Sequence, residues 1–184
     1  FKEADLGNIP KEGSVIVIAN HPFGGIEGIA LSVILNQIRN DFKIMANHYL
    51  SIIPELRDLF IFVDPFKTKN STYNNISQLK KTIRWVNNGG LLVIFPAGEV
   101  SHYNLAEGKI TDPPWQENVE KLIDKISAPV IPVFFEGANK LTFQTLGLIH
   151  PLFRTVRLPA ELLNKQNTTL SLHVGKPITQ KRLT

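Results

Sequence analysis

The chain has 184 residues, of which 43% are hydrophobic and 20% are charged, and this balance excludes a disordered or fibrous protein. Its 20 lysines and arginines exceed its 16 acidic residues by four, a mild excess that suits an anionic membrane surface or another acidic partner. The basic residues are scattered, which argues against nucleic acid, and the absence of cysteine excludes disulfides and thiolate chemistry. We expect one domain, residues 1–184, cut from a longer polypeptide because its first residue is Phe1.

Apolar runs and helical patterns alternate along the chain. Strands are predicted at residues 15–18, 42–46, 59–63, 91–95, 129–135 and 169–174. Helices are predicted at residues 26–38, 73–88, 113–126 and 159–164, with Asp112 as the N-cap of the third and Gly89-Gly90 ending the second. Residues 138–157 have no clear assignment. The alternation predicts an α/β fold with a single-domain, largely parallel central sheet flanked by helices.

The helix predicted at residues 26–38 is apolar on most of its faces. Such a helix is either buried or presents one face to lipid. No apolar run in the sequence approaches the roughly 20 residues that a membrane-spanning helix needs. If a membrane is involved, we expect the protein to lie on its surface.

The first candidate site is the turn after the strand at residues 15–18. His21 can accept a proton from a hydroxyl near neutral pH, and a carboxylate on its other ring nitrogen would fix the tautomer and stabilise the imidazolium. Gly24 and Gly25 let the backbone turn tightly enough for Glu27 to reach back towards His21. The alternative interpretation is an ordinary strand-end turn in which the histidine caps a neighbouring group.

A second glycine turn, residues 96–101, follows the predicted strand at residues 91–95. In parallel α/β sheets the ligand crevice lies at the carboxyl ends of the strands. Both glycine turns are therefore expected at the same edge of the sheet, where they would line one crevice.

Four sequence blocks in the same order resemble the glycerolipid acyltransferase family, which includes 1-acylglycerol-3-phosphate acyltransferases and lysophospholipid acyltransferases. The first is the histidine and acidic residue of the turn at 20–27, and the second is the hydrophobic strand that ends in Asp64. The third, residues 95–101, resembles a Phe-Pro-Glu-Gly-Thr-Arg-Ser pattern, and the fourth, residues 128–133, a Val-Pro-Val-Val-Pro-Val pattern. The resemblance spans about residues 15–135.

This resemblance implies transfer of a fatty acyl group from a thioester of coenzyme A or acyl carrier protein to a hydroxyl of a lysolipid. His21 would be the general base and Glu27 its acidic partner, and no cofactor beyond the thioester cosubstrate is expected. Backbone N–H groups near Gly98, or near Gly24 and Gly25, are candidates for stabilising the oxyanion. The candidate substrate-binding residues are Asn20, Gly24, Gly25, Asp64, Lys67, Phe95, Pro96, Ala97, Gly98 and Glu99. No metal site is predicted, because the remaining histidines lack metal-ligand spacing.

The sequence departs from the family pattern in two respects. Five residues separate His21 from Glu27 where the family has four between histidine and aspartate. Pro65 and Val100 stand where the second and third blocks usually carry arginine, and a valine cannot grip phosphate as a guanidinium does.

These departures predict an acceptor other than a simple glycerol phosphate. Bacterial relatives with a similar His-Pro-x-Gly-Gly turn are described as hemolysin-like or as acylating amino-acid lipids, and lyso-ornithine lipid would fit. Lys67 and Lys69 are candidates for a looser anion site.

Three other classes were considered. A serine hydrolase would need a Gly-x-Ser-x-Gly elbow and a nucleotide-binding enzyme would need a glycine-rich phosphate loop, and neither pattern occurs. A non-catalytic relative that binds a lipid or an acyl thioester stays open as the alternative. The chemistry implied by the resemblance places the protein peripherally at the cytoplasmic face of a bacterial membrane.

Overall fold

The computed structural model describes residues 6–63, 69–165 and 168–179. Its strands are β1 (Val15–Ala19), β2 (Phe42–Asn47), β3 (Phe60–Val63), β4 (Leu91–Ile94), β5 (His102–Asn104), β6 (Lys109–Thr111), β7 (Val130–Phe135) and β8 (Leu172–Val174). Its α-helices are α1 (Gly25–Asn36), α2 (Lys69–Asn87), α3 (Glu117–Lys125), α4 (Leu141–Ile149) and α5 (Pro151–Leu163). Two short 3₁₀ helices, His48–Ile52 and Pro54–Leu56, lie between β2 and β3.

Six strands form one sheet in the order β3-β2-β4-β1-β7-β8. Five of them are parallel, and β8 runs antiparallel to β7 at one edge. Strands β5 and β6 form a separate antiparallel hairpin. The mixed α/β fold with a mostly parallel central sheet is thus confirmed.

Strand β1 lies in the middle of the sheet and is covered on both faces. Val15 and Val17 belong to the core cluster that includes Leu31 and Leu35 of α1, whereas Ile16 belongs to the cluster that includes Ile123 of α3. Successive side chains of a strand point to opposite faces, so an uninterrupted apolar run is what a strand between two helical layers requires.

The register of β1 brings the two glycine turns together. Ile18 pairs with Ile94 of β4, and Ala19 pairs with Val133 of β7. Strands β1 and β4 therefore end almost level, β7 continues two residues further, and the residues that follow these strands share one edge of the sheet, as the sequence predicts.

The second half of the chain differs most from the prediction. Helix α3 starts at Glu117 with Gln116 as its N-cap, so the prediction of Asp112 as an N-cap is wrong. The polar segment between Ser101 and Asp112, for which no strand or helix was predicted, contains the β5–β6 hairpin. Residues without an assignment form α4 and most of α5, and α5 continues through Pro159, which was expected to open a short helix.

Some predictions fall outside the described residues. Asp64 and Lys67 lie in the segment 64–68, so the structure does not place them. Within the described ranges, every helix is too short or too polar to span a lipid bilayer.

Candidate active site

His21 lies at the carboxyl end of the central strand, in the turn between β1 and α1. Its ring stacks at an angle of 32° on Phe95, the residue after β4, with the ring centroids 4.4 Å apart. This contact follows from the register, because β1 and β4 end side by side. The imidazole is 18% exposed, so one part of it stays accessible to a substrate.

Glu27 points towards His21 in spite of the extra residue between them. Its Oε1 atom lies 3.6 Å from Nδ1 of the imidazole, and its side chain is fully buried. The same oxygen accepts hydrogen bonds from the backbone N–H groups of Phe23, at 2.5 Å, and Gly24, at 3.2 Å. Glu27 is in the first turn of α1, where the positive end of the helix dipole favours a carboxylate.

Burial sets the protonation of both groups. It lowers the pKa of His21 to about 4, so that the imidazole is neutral at pH 7. It raises the pKa of Glu27 to about 7. Hydrogen bonds from the backbone N–H groups of Phe23, Glu27 and Gly24 oppose this rise, and the negative charge of Asp112 adds to it. A neutral base thus lies beside a carboxylate that ionises near neutrality.

A second carboxylate, that of Asp112, fixes the turn from the other side. Both of its oxygens accept from the backbone N–H of His21, at 3.2 and 3.3 Å, and one accepts a short hydrogen bond from the hydroxyl of Ser101. The N–H of Ser101 in turn donates to the carbonyl of His21 at 2.8 Å. The hydrogen bonds among His21, Ser101 and Asp112 connect the turn after β1 to the turn after β4.

No local sequence pattern indicates this role of Asp112. Its position before Pro113-Pro114 indicated a helix start, and 91 positions separate it from the backbone that it binds. Ser101 could have been found, because it is the last residue of the third block.

Gly24 lies where the turn after β1 comes close to α5. Its φ of +107° is a conformation that residues with a side chain rarely adopt. A Cβ atom there would lie 3.0 Å from Leu158 Cδ2 and 3.6 Å from Val100 Cγ2. The predicted need for glycine is therefore both conformational and steric. Gly25, by contrast, has open space where a Cβ would be.

The predicted residues of the second glycine turn lie near His21, and they differ from one another in how much of each is exposed to solvent. Phe95 contacts the imidazole, Pro96 and Ala97 are buried, and Gly98 is exposed with a φ of +69°. The side chain of Glu99 is 62% exposed, with Oε2 3.7 Å from a guanidinium nitrogen of Arg154 in α5. Arg154 is only 16% exposed and was not singled out from the sequence.

Asn20 joins β1 to β7 rather than pointing freely into solvent. Its amide nitrogen donates to the carbonyl of Phe135 at 2.9 Å, and its amide oxygen accepts from the N–H of Phe135 at 2.7 Å. Asn20 and Pro96 also line a mainly apolar cleft of about 390 Å³, together with Asp112, Trp115 and Phe134.

Two of the N–H groups predicted for an oxyanion are already engaged. The N–H of Gly98 donates to the carbonyl of Phe95 at 2.9 Å, and that of Gly24 donates to Glu27. As the structure stands, these two donors hold the turns themselves. Within the described residues, no group of three or more His, Asp or Glu side chains could hold a metal ion.

A sequence model for a family described as acyltransferase matches residues 2–183. The chain is 28% identical over 180 residues to a lyso-glycine lipid O-acyltransferase of Phocaeicola vulgatus, and 27% identical over 183 residues to one of Bacteroides thetaiotaomicron. Each match covers 94% of this chain and 62% or 64% of the relative, so the chain spans less than two thirds of their length.

A solved structure has the same fold. The 1-acyl-sn-glycerophosphate (LPA) acyltransferase PlsC from Thermotoga maritima matches with a TM-score of 0.52 at 20% identity, over 95% of this chain and 59% of PlsC. Since the family model covers nearly the whole sequence, the resemblance read from the four blocks is confirmed, and the chain belongs to the acyltransferase family.

Proposed function

We propose that the protein is a lysolipid O-acyltransferase that moves a fatty acyl group from a thioester of coenzyme A or acyl carrier protein to a lipid hydroxyl. The observation that carries this proposal is a neutral imidazole with a buried carboxylate 3.6 Å from its Nδ1 atom, at the carboxyl end of the central strand. That separation is longer than a hydrogen bond, but catalytic contacts are often long before substrate binds.

The proposed reaction needs only these two side chains for its proton transfers. The Nε2 atom of His21 takes the proton of the acceptor hydroxyl as that oxygen attacks the thioester carbonyl carbon. Ionised Glu27 stabilises the imidazolium that forms. When the tetrahedral intermediate collapses, the carbon–sulfur bond breaks and the leaving thiolate takes the proton back from His21. An ester and a free thiol are the products, and no acyl-enzyme forms.

We propose an amino-acid lipid as the acceptor. Val100 stands where the family pattern has an arginine, and the two curated relatives are named for a lyso-glycine lipid. An amino acid that is linked through its nitrogen keeps a carboxylate, which a guanidinium binds well. Arg154, whose guanidinium lies 3.7 Å from Glu99 of the second turn, is our candidate for this contact, and Nζ of Lys165 lies 4.5 Å from the ring centroid of Phe23. Lyso-ornithine lipid belongs to the same acceptor class.

The apolar cleft beside Asn20 and Pro96 is a candidate for the hydrocarbon part of a substrate. Its lining is mostly aliphatic and aromatic, which suits an acyl chain. We propose that the reaction takes place on the cytoplasmic face of the membrane, with the protein bound peripherally.

Thiol release tests the proposal. Long-chain acyl-CoA and acyl carrier protein thioesters would be incubated with the protein alone, then with lyso-glycine lipid, lyso-ornithine lipid or lysophosphatidic acid. We expect acceptor-dependent release and an ester product with an amino-acid lipid. A clear preference for lysophosphatidic acid would contradict the acceptor class. Thiol release at the same rate with and without an acceptor would indicate a thioesterase. Lipid binding without turnover would indicate a non-catalytic relative.

A further inference from the structure

Helix α5 exposes its apolar side and covers its charged side. Leu152, Phe153, Val156 and Leu163 are 65%, 48%, 78% and 64% exposed. At 100° per residue these four side chains fall within about 100° of one another, so they form one stripe. The covered side of the same helix carries the fully buried Glu161 and the largely buried Arg154. A helix on the surface of a globular protein normally has the reverse arrangement.

The apolar stripe continues beyond α5. Leu148 and Ile149, at the end of α4 just before α5, are 50% and 73% exposed. We call these two residues and the four of the stripe the apolar face. Helix α1, which packs against α5, carries two more exposed apolar residues one turn apart, Ile29 and Val33. Contiguous exposed apolar residues on this scale mark an interaction surface.

The charged side chains on and beside α4 and α5 are mostly positive, although Glu99, which is 62% exposed, lies beside the largely buried Arg154. Between residues 138 and 165 the cations are Lys140, Arg154, Arg157 and Lys165, and the single acidic residue is the buried Glu161. Lys140 is exposed and Arg157 is 38% exposed. A second copy of the same face would bring like charges together, whereas an anionic lipid surface would be attracted to this pattern.

The catalytic turn lies directly behind α5. Leu158, on the covered side of the helix, is the residue that a Cβ at Gly24 would meet first, and Arg154 reaches Glu99 of the second turn. A lipid surface that contacts the apolar face would therefore be separated from the turn that holds His21 by α5 alone, which is about 10 Å in diameter.

We infer that the apolar face of α4 and α5 is the surface by which this protein docks on an anionic lipid bilayer. This inference rests on the proposed function for its purpose, but the docking itself is measured without turnover. Hydrocarbon contact by the apolar residues provides most of the binding, and the surrounding cations add an electrostatic contribution that salt weakens.

Vesicle co-sedimentation tests the inference. The protein would be mixed with phosphatidylcholine vesicles with and without about 30% phosphatidylglycerol, because an anionic surface attracts the flanking cations. The test variant is Phe153→Asp/Val156→Asp, and the matched control is Ile52→Asp, which places a charge at a residue that is 80% exposed in the first 3₁₀ helix. We expect the double variant to lose on the order of tenfold or more in partitioning, since charged groups are costly in hydrocarbon. Lys140→Glu should give a smaller loss that disappears at high salt.

Three results would overturn the inference. The wild-type protein would fail to bind anionic vesicles, or the double variant would bind as well as the wild type, or Ile52→Asp would lose as much as the double variant. Concentration-dependent dimerisation that Phe153→Asp/Val156→Asp abolishes would assign the face to a second copy instead. Circular dichroism of every variant checks folding, and the single variant Val156→Asp serves if the double variant is unfolded.

Activity on two forms of acceptor separates this inference from the proposed function. Variants of the apolar face should acylate a short-chain monomeric lysolipid at the wild-type rate and lose activity only on acceptor embedded in vesicles. Vesicle binding that depends on the apolar face, without turnover of any acceptor, would leave the docking surface standing and reject the transferase.

Discussion

Two carboxylates in this protein, those of Glu27 and Glu161, are fully buried and differ in what holds them. Glu27 is in the first turn of α1, accepts two backbone N–H bonds from the turn before it, and lies 3.6 Å from a histidine. Glu161 is in the last turn of α5, where the helix dipole disfavours a negative charge. Among the described residues its nearest counter-ion is Arg157, with Nε at 3.5 Å, and neither of its oxygens has a hydrogen-bond partner.

The difference shows that burial alone does not identify a functional carboxylate. Backbone donors fix the oxygen of Glu27 at one position and leave it facing a second titratable group. Glu161 depends on a flexible side chain that is itself partly in water. In the proposed mechanism the first carboxylate supports His21, whereas the second pairs with Arg157 one turn away in the same helix. Four predictions test this contrast.

The largest effect is expected from removing the base. His21→Ala should lower kcat/KM by about 10³-fold or more, because a positioned general base typically contributes 10²- to 10⁴-fold. Acceptor-dependent thiol release measures this loss. His48→Ala, which removes an exposed histidine from the first 3₁₀ helix, is the control and should leave the rate unchanged. Equal activity of His21→Ala and the wild type would reject the proposed mechanism.

Glu27→Gln should lower kcat/KM by about 10²-fold, because the amide cannot stabilise the imidazolium. In the wild type, kcat/KM should fall as the pH drops through about 7, where Glu27 becomes protonated, while the pKa of His21 near 4 keeps the imidazole neutral over that range. The variant should show no change near pH 7. Glu161 is equally buried, and Glu161→Gln should keep the wild-type activity and pH profile. Equal activity and pH profiles for Glu27→Gln and Glu161→Gln would contradict the difference between the two carboxylates.

Breaking the other pair should change stability rather than turnover. Arg157→Ala leaves the carboxylate of Glu161 buried without a counter-ion, and we expect a loss of about 1–3 kcal/mol in the free energy of unfolding. Glu161→Gln leaves an arginine that can reach solvent, so its loss should be smaller. Urea denaturation of both variants measures the difference, and a larger loss for Glu161→Gln would contradict this view of the pair.

The last effect, similar in size to the loss expected for Arg157→Ala, is a gain of stability at the candidate active site. Burial raises the pKa of Glu27 from 4.5 to about 7, so the stability that its protonated form confers is complete below pH 4.5 and is lost as the pH rises through 7. Glu27→Gln is neutral at every pH. Its stability relative to the wild type should therefore increase by about 1–3 kcal/mol between pH 5 and pH 8. Urea unfolding at both pH values measures this, and a difference that stays constant with pH would show that Glu27 ionises normally.

The sequence predicted the sheet and the turn after β1 because each depends on local pattern. Apolar runs such as 15–18 and 91–95, which are short and bounded by turn residues, favour buried strands, and the two glycines between His21 and Glu27 favour a tight turn. The order of the strands places both glycine turns at one edge, as the rule for parallel sheets requires.

The rest of the site depends on contacts between distant residues. Asp112 binds a backbone group 91 positions away, which no local signal encodes. Most of helix α5 was not predicted, because Pro159 indicated the start of a new helix. In addition, the charged residues of α5 face inward while its apolar residues face outward. A helix with its charged residues inside and its apolar residues outside can be predicted only when the surface that contacts its apolar side is known.

The bond between Ser101 and Asp112 closes the base of the β5–β6 hairpin. Both residues bind the backbone of His21, so the ten residues between them form a loop whose two ends are fixed to the turn after β1. The tip of this hairpin can therefore change in length or sequence while Ser101 and Asp112 keep the backbone of His21 in place.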